Sequence, residues 1–419
     1  VGKAAIGGRQ PLARAGQRDD ALAVLAAAAG ASATGTGGIA PVAEYERARL
    51  LDEAGETDAA ADARHRAQRA PADWVFPAGL DAHDALEAAV AADPADARAR
   101  ALLGMWLYDR GRRTDALAQW RAALDDATRD GVLLRNAALA TAEVEGDLDA
   151  AAALYDRAVE VSDDPRLWFE LDQLAQRRGI SAAARLARLE PYRDRLIVRD
   201  DLLVTVADLL TTTGRAAEAL DLLLSRPLQP WEGGEGVAIR AFARASIARA
   251  GELGHDAARA AALLERALDT PRSLGEAWHL LDSRAALWLR LGHCRASLGD
   301  AAAADDAWRT AATEAATAEI DAESLDGARA ACARGDEEAA ADLRSRVAAR
   351  VSELRSAPAR VDYFATSLPE TLLFSLDPAE AARRRADELA AALARYDEEH
   401  AAARAAGPAT GSAKRPVNA

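Results

Sequence analysis

In the stretch LGMWLYDRGRRTDALAQWRAA, Leu103 to Ala123, Gly111 is followed by Ala116 five residues on, by the bulky Trp120 nine on and by Ala123 twelve on. The same spacing returns as Gly146, Ala151, Tyr155 and Ala158, as Gly299, Ala304, Trp308 and Ala311, and near the start as Gly16, Ala21, Leu25 and Ala28. Gly55 with Ala60 and Ala67, Gly179 with Ala184, and Gly214 with Ala219 and Leu223 are weaker copies. The glycines at 111, 146, 179 and 214 are 35, 33 and 35 residues apart, a period that belongs to stacked supersecondary units.

Each position has a steric reason. A glycine can end one helix in a left-handed turn that residues with a Cβ avoid. Ala five residues later suits the point where two helices cross, because a larger side chain would push the axes apart. The bulky residue at nine fills the wedge between the helices, and Ala at twelve lies one turn further along the same face. Upstream, Leu103-Gly104 and Leu291-Gly292 stand eight and seven residues before their glycines, and Trp168 and Trp288 stand eleven before theirs.

With these offsets together, the chain resembles tetratricopeptide repeats. The expected fold is all-α, a right-handed α-solenoid of tetratricopeptide-like helix pairs. The pattern predicts a truncated N-terminal helix pair at 1–29, a flexible linker at 30–41 (GASATGTGGIAP), a solenoid at 42–360, an extended segment and helix at 361–404 and a disordered tail at 405–419. Small, polar and aperiodic residues set the linker and tail apart.

Composition narrows the function. Half of the 419 residues are hydrophobic but only 5% are aromatic, so the apolar content is largely Ala and Leu, which favours packed helices over sheets. A net charge of −15 opposes approach to nucleic acid or an anionic bilayer and leaves a basic or neutral partner as the better fit. Cys294 and Cys332 have no partner spacing, so neither a disulfide framework nor a zinc site is expected, and a reducing, cytoplasmic setting follows. No stretch is apolar enough to span a membrane. The first residue, Val1, suggests either a GTG start read literally or a piece of a longer protein, the second being preferred.

Three segments interrupt the repeats: DWVFPAGLD at 73–81, RPLQPWEGGEG at 226–236 and VDYFATSLP at 361–369. Trp74-Val75-Phe76-Pro77, the segment Phe169 to Leu174 (FELDQL), the loop Pro230 to Gly236 and the run Asp362 to Pro369 resemble a bacterial family across most of residues 16 to 375. In that family a mutarotase-like β-sandwich of unassigned function precedes a long tetratricopeptide region. The resemblance implies the scaffold part of such a protein, with the sandwich, where carbohydrate chemistry would lie, outside these residues.

No catalytic residue, metal site or cofactor is indicated. In PWEGGEG, Trp231 with Glu232 and Glu235 could stack on a sugar and bind its hydroxyls, or the glycines could simply shape a long turn anchored by Trp231. Tyr363, a further candidate for partner contact, could pair with Ser367 as base and nucleophile, but no His lies nearby in sequence, and an extended apolar segment packing along the solenoid is the favoured reading. His293 and Cys294 are adjacent and would point about 100° apart on a helix, which disfavours a shared metal. Met105, Tyr108, Leu289 and His293 are the candidates for an exposed concave groove. The expected function is a non-catalytic scaffold that binds a protein or peptide, or its own sandwich domain; the alternative is an accessory region of a carbohydrate-active protein.

Overall fold

A computed structural model describes residues 17–32, 38–71, 74–231, 234, 236–279, 282–356, 358 and 378–405. Among these the fold is all-α, with no strand, and consists of helix pairs stacked as an α-solenoid. The chain divides into two compact units, residues 1–167 and 168–419.

Unit 1 carries α1 (Arg18–Ser32), α2 (Ala40–Glu53), α3 (Thr57–Arg69), α4 (Leu80–Ala92), α5 (Ala97–Asp109), α6 (Arg113–Ala123), α7 (Gly131–Glu145) and α8 (Leu148–Val161). Neighbours in sequence pack together, α5 on α6, α6 on α7 and α7 on α8, while α2 also meets α4. The next helix, α9 (Pro165–Arg177), contains the division between units.

Unit 2 continues with α10 (Ala182–Leu189), the short α11 (Arg193–Leu196), α12 (Asp200–Thr212), α13 (Ala216–Leu223), α14 (Val237–Glu252), α15 (Ala257–Asp269), α16 (Ala285–Ser297), α17 (Ala301–Thr317), α18 (Ser324–Arg334), α19 (Glu337–Ser356) and α20 (Pro378–Ala405). The first helices of successive pairs touch, α12 with α14 and α16 with α18. That contact pattern makes a solenoid rather than a set of isolated hairpins.

The corners follow from the sequence. Gly111 has φ +77° and Gly299 φ +83°, in the left-handed region where a Cβ is strained. At Gly111 the Arg112 N–H donates to the Leu107 carbonyl at 2.9 Å and the Gly111 N–H to Tyr108 at 3.0 Å, and Gly299 and Asp300 repeat this on Ala296 and Arg295. This is a Schellman closure, which satisfies the orphan carbonyls of the helix just ended. An aspartate then opens the second helix in several pairs: Asp147, Asp300 and Asp336 accept from the Ala150, Ala303 and Ala339 N–H groups, as N-caps do.

Within a pair the wedge is filled by shape. A Cβ built on Gly104 would lie 2.4 Å from Trp120 Nε1, and one on Gly292 would lie 2.3 Å from Trp308 Nε1. Each indole therefore presses against the bare backbone of the facing helix, and its N–H donates to a carbonyl there, Trp120 to Ala101 at 3.0 Å and Trp308 to Leu289 at 3.3 Å. The crossing alanines Ala116, Ala151, Ala219 and Ala304 are buried.

Several boundaries differ from expectation. Residues 30–32 are not linker but continue α1, and α2 opens at Ala40, with Pro41 in its first turn, where its missing N–H costs nothing. Helix α1 packs on α2, and the buried residue near its end is Ala29, whereas Ala28 is only half-buried. Ala405, where the tail is predicted to begin, still belongs to α20, and residues 406–419 lie outside the described residues.

Candidate functional site

Three places in the fold carry side chains that packing alone does not use. The first is the segment before α4. Val75 is buried in the unit 1 core, while its neighbours Trp74 and Phe76 are 75% and 71% exposed and Leu80 is 63% exposed. The segment is fastened further along, since Trp106 Nε1 donates to the Gly79 carbonyl at 2.9 Å. Trp74 has φ +61°, a conformation unfavourable for a bulky residue that is sustained only where neighbouring structure imposes it.

The second place is the loop 226–236. Leu228 N–H donates to the Ser273 carbonyl at 2.7 Å and Gln229 N–H to Asp200 at 2.8 Å, while Arg226 reaches the Ile197 carbonyl at 2.9 Å. Trp231 is half-buried, and a Cβ on Gly234 would lie 2.0 Å from its Nε1. The indole thus covers the turn's own backbone, an arrangement that favours an anchored turn over an open stacking platform. Glu232, Glu235 and Tyr363 lie outside the described residues.

The third place is a half-open cleft of about 170 Å³ between α9 and α10, lined by apolar Leu171, Ile180 and Leu189 together with Trp168, Asp172 and three arginines, 178, 185 and 188. Asp172 accepts from Arg185 at 2.9 and 2.5 Å. Burial lowers the pKa of the Arg188 guanidinium, so an anion beside it would offset part of that desolvation. The cleft was not legible as a pocket in the sequence, although Asp172 stands at the offset that holds Gly104 and Gly292 in other repeats.

The groove candidates separate. Leu289 is 2% exposed and packs in the core of unit 2; it faces neighbouring helices and offers no contact surface, which corrects the expectation. Met105 is half-buried against the unit 1 core. Tyr108 is half-buried, its hydroxyl donating to Glu143, its ring 5.5 Å from that of Trp120 and beneath the Arg113 guanidinium. His293 is exposed, edge-on to Trp308 at 5.5 Å. Cys294 is buried, and burial raises its pKa.

Two sets of metal-ligand types come together among the described residues, Cys332 with Glu337 and His400, and His83 with Asp84 and Glu87. In the first, Cys332 Sγ is 3.6 Å from His400 Nδ1 and Glu337 is 3.6 Å from Nε2. In the second, Asp84 meets Nδ1 at 3.2 Å and Glu87 meets Nε2 at 3.3 Å. One ion cannot bind both nitrogens of an imidazole, so each set reads as one hydrogen bond at Nδ1 and one carboxylate near Nε2 of its histidine.

At the start of α18, burial raises Glu323 to a pKa of about 7, with Asp321, Asp326 and Asp282 adding repulsion and Arg244 opposing it. The native pKa exceeds the ordinary 4.5, so the folded state holds this proton more tightly. The associated stability is full below about pH 4.5 and is lost as pH rises through about 7. Thermal melts of the intact chain should show unit 2 losing stability between about pH 5 and pH 8. Glu323→Gln should flatten that slope and gain about 2 kcal/mol at the upper end.

No family model matches the sequence. Among solved structures, the chain is similar to one in the complex of Naa15/Naa10 bound to HypK-THB, at 14% identity and a TM-score of 0.39, covering 78% of this chain and 50% of that one. It is also similar to yeast Tom70, at 15% identity and a TM-score of 0.30, covering 76% and 61%. A tetratricopeptide repeat protein from Parabacteroides merdae matches at 13% identity and a TM-score of 0.24, covering 78% and 99%. This chain thus spans half to three-fifths of the first two. The fold assignment rests on the corner and wedge geometry described above. No described helix is long and apolar enough to cross a membrane.

Proposed function

We propose that this chain is a non-catalytic scaffold that binds a protein or peptide partner, and that Trp74 and Phe76 are the centre of the contact. The observation that carries this is a pair of large aromatic side chains left 75% and 71% exposed on either side of a residue locked into a helical core. Aromatics held on a rigid support supply much of the binding energy of protein interfaces at little entropic cost. The charge of −15 favours a basic or neutral partner over nucleic acid. A cytoplasmic setting accords with the two free cysteines.

The likeness of Trp74-Val75-Phe76-Pro77 to the family with a mutarotase-like sandwich makes that domain one such partner, in cis. An accessory role in carbohydrate chemistry is the second reading, but Trp231 lies against Gly234, and that contact favours a turn anchor. A photo-reactive residue at position 76 tests the scaffold reading against one at Arg129, on an exposed loop of the same unit. Crosslinks to one partner from position 76 alone are expected. Trp74→Ala should weaken that partner's binding roughly thirtyfold, about 2 kcal/mol, with the melting point unchanged. Equal crosslinking from both positions would contradict the reading.

A further inference from the structure

The cleft between α9 and α10 occupies the place that a side chain plugs in sister repeats. Seven residues before their corner glycines the repeats of Gly55, Gly111, Gly146, Gly214, Gly299 and Gly335 have Ala48, Gly104, Leu139, Ala207, Gly292 and Ala328, all uncharged; the repeat of Gly179 has Asp172. Where that position is glycine, the residue nine after the corner is a tryptophan seated on it, as with Trp120 and Trp308. Here it is Arg188. The crossing alanine shows the result, because Ala184 is exposed whereas Ala60, Ala116, Ala151, Ala219, Ala304 and Ala340 are buried. The pair is open where the others are closed.

What the opening lacks is visible in the repeat of Gly299. Trp288, eleven residues before that glycine, donates its indole N–H to Glu314 at 3.1 Å, and the same carboxylate accepts from Arg284 Nε at 3.3 Å and Nη2 at 2.5 Å. The equivalent indole before Gly179 is Trp168, which is buried and lines the cleft, and its Nε1 has no hydrogen-bond partner. The position matching Glu314 is Asp194, but α10 ends at Leu189, ahead of Pro191, and Asp194 is exposed. The repeat thus keeps a buried indole donor and arginines while its own chain supplies no acceptor to that donor. A buried donor without an acceptor is destabilising, and an incoming acceptor would offset that cost.

The geometry points to a binding site for a small organic monocarboxylate, its carboxylate taking the Trp168 N–H and the Arg188 guanidinium and its short apolar body lying against Leu171, Ile180 and Leu189. Guanidinium and indole N–H together match a carboxylate, as Glu314 already shows within this fold, and the apolar walls favour an aliphatic tail over an inorganic anion. The site uses only residues of the α9–α10 pair, so it stands or falls separately from partner binding through Trp74.

The full chain labelled with ¹⁵N-indole tryptophan gives a direct test, since its eight tryptophans yield few N–H signals and Trp168→Phe identifies one of them. Isobutyrate should move the Trp168 signal saturably, and isobutyramide, of the same shape but uncharged, should not. Acetate should bind at least threefold more weakly than isobutyrate, for want of the apolar contact. Arg188→Leu should weaken isobutyrate binding at least tenfold, with an unchanged melting curve showing that the pair still folds. No saturable shift with isobutyrate would overturn the proposal, as would equal shifts from isobutyramide or from inorganic phosphate. These comparisons use the unaltered protein and do not depend on how the variant folds.

Discussion

Replacing Trp120 by Ala should lower the unfolding free energy of unit 1 by about 3–5 kcal/mol, the range for removing a large aromatic from a packed interior. Trp120 is buried, its indole pressed against Gly104 and hydrogen-bonded to the Ala101 carbonyl. Gly104 has no side chain, so it cannot itself fill the space that Trp120 would leave. Trp308 has the same seat on Gly292 but is only half-buried, so Trp308→Ala should cost unit 2 less. Urea unfolding followed by circular dichroism would measure both, with each variant expected to shift chiefly the transition of its own unit.

The second large effect is expected at Asp96. This buried carboxylate accepts from Tyr45 Oη at 3.0 and 2.9 Å, from Gln68 Nε2 at 3.0 Å and from the Ala99 N–H at 2.9 Å. It therefore joins α2, α3 and the N-terminus of α5. Asp96→Ala removes a helix cap and leaves the Tyr45 hydroxyl buried without an acceptor, for a loss of about 3 kcal/mol. Asp96→Asn retains an acceptor oxygen and should lose about half as much. Burial, with Asp96 next, raises the Tyr45 pKa well above its ordinary 10.0, so this network favours the neutral phenol. Its contribution is intact below about pH 10 and declines as pH rises beyond that value.

The corners of the fold were legible because they obey a local rule. A left-handed turn followed by a capped helix needs glycine and favours aspartate, and Gly146-Asp147 and Gly299-Asp300 state both in two residues. Two further corners were missed for definable reasons. Gly335 is followed by Ala340 and Val347, but the ninth position is Arg344, not a bulky apolar residue. After Gly254 the buried residues include Ala260, Leu264 and Ala267, each one place later than the fixed offsets allow, because the turn holds an extra residue.

Exposure was harder to read. Leu289 and His293 lie one turn apart on α16, yet one is buried and the other is not. Which flank of a first helix is covered depends on the next pair, and that cannot be counted from one repeat. The exposed pair Trp74 and Phe76 alternates with buried Val75, a period-two signal too short to stand out beside Pro77. The cleft at Asp172 left a trace as a charged residue at a position that is otherwise small or apolar, but the vacancy it marks depends on how three side chains pack in space.

The dependence of the helix pair on a bare backbone at the wedge is tested most directly by a double-mutant cycle on Gly104 and Trp120. With Trp120 present, Gly104→Ala should destabilise unit 1 by about 1–2 kcal/mol, since overpacking outweighs the helical preference of alanine. With Trp120→Ala, the same change should stabilise it by about 1 kcal/mol, because only that preference remains. A reversal of sign is the predicted result; equal effects of Gly104→Ala in both backgrounds would contradict the account.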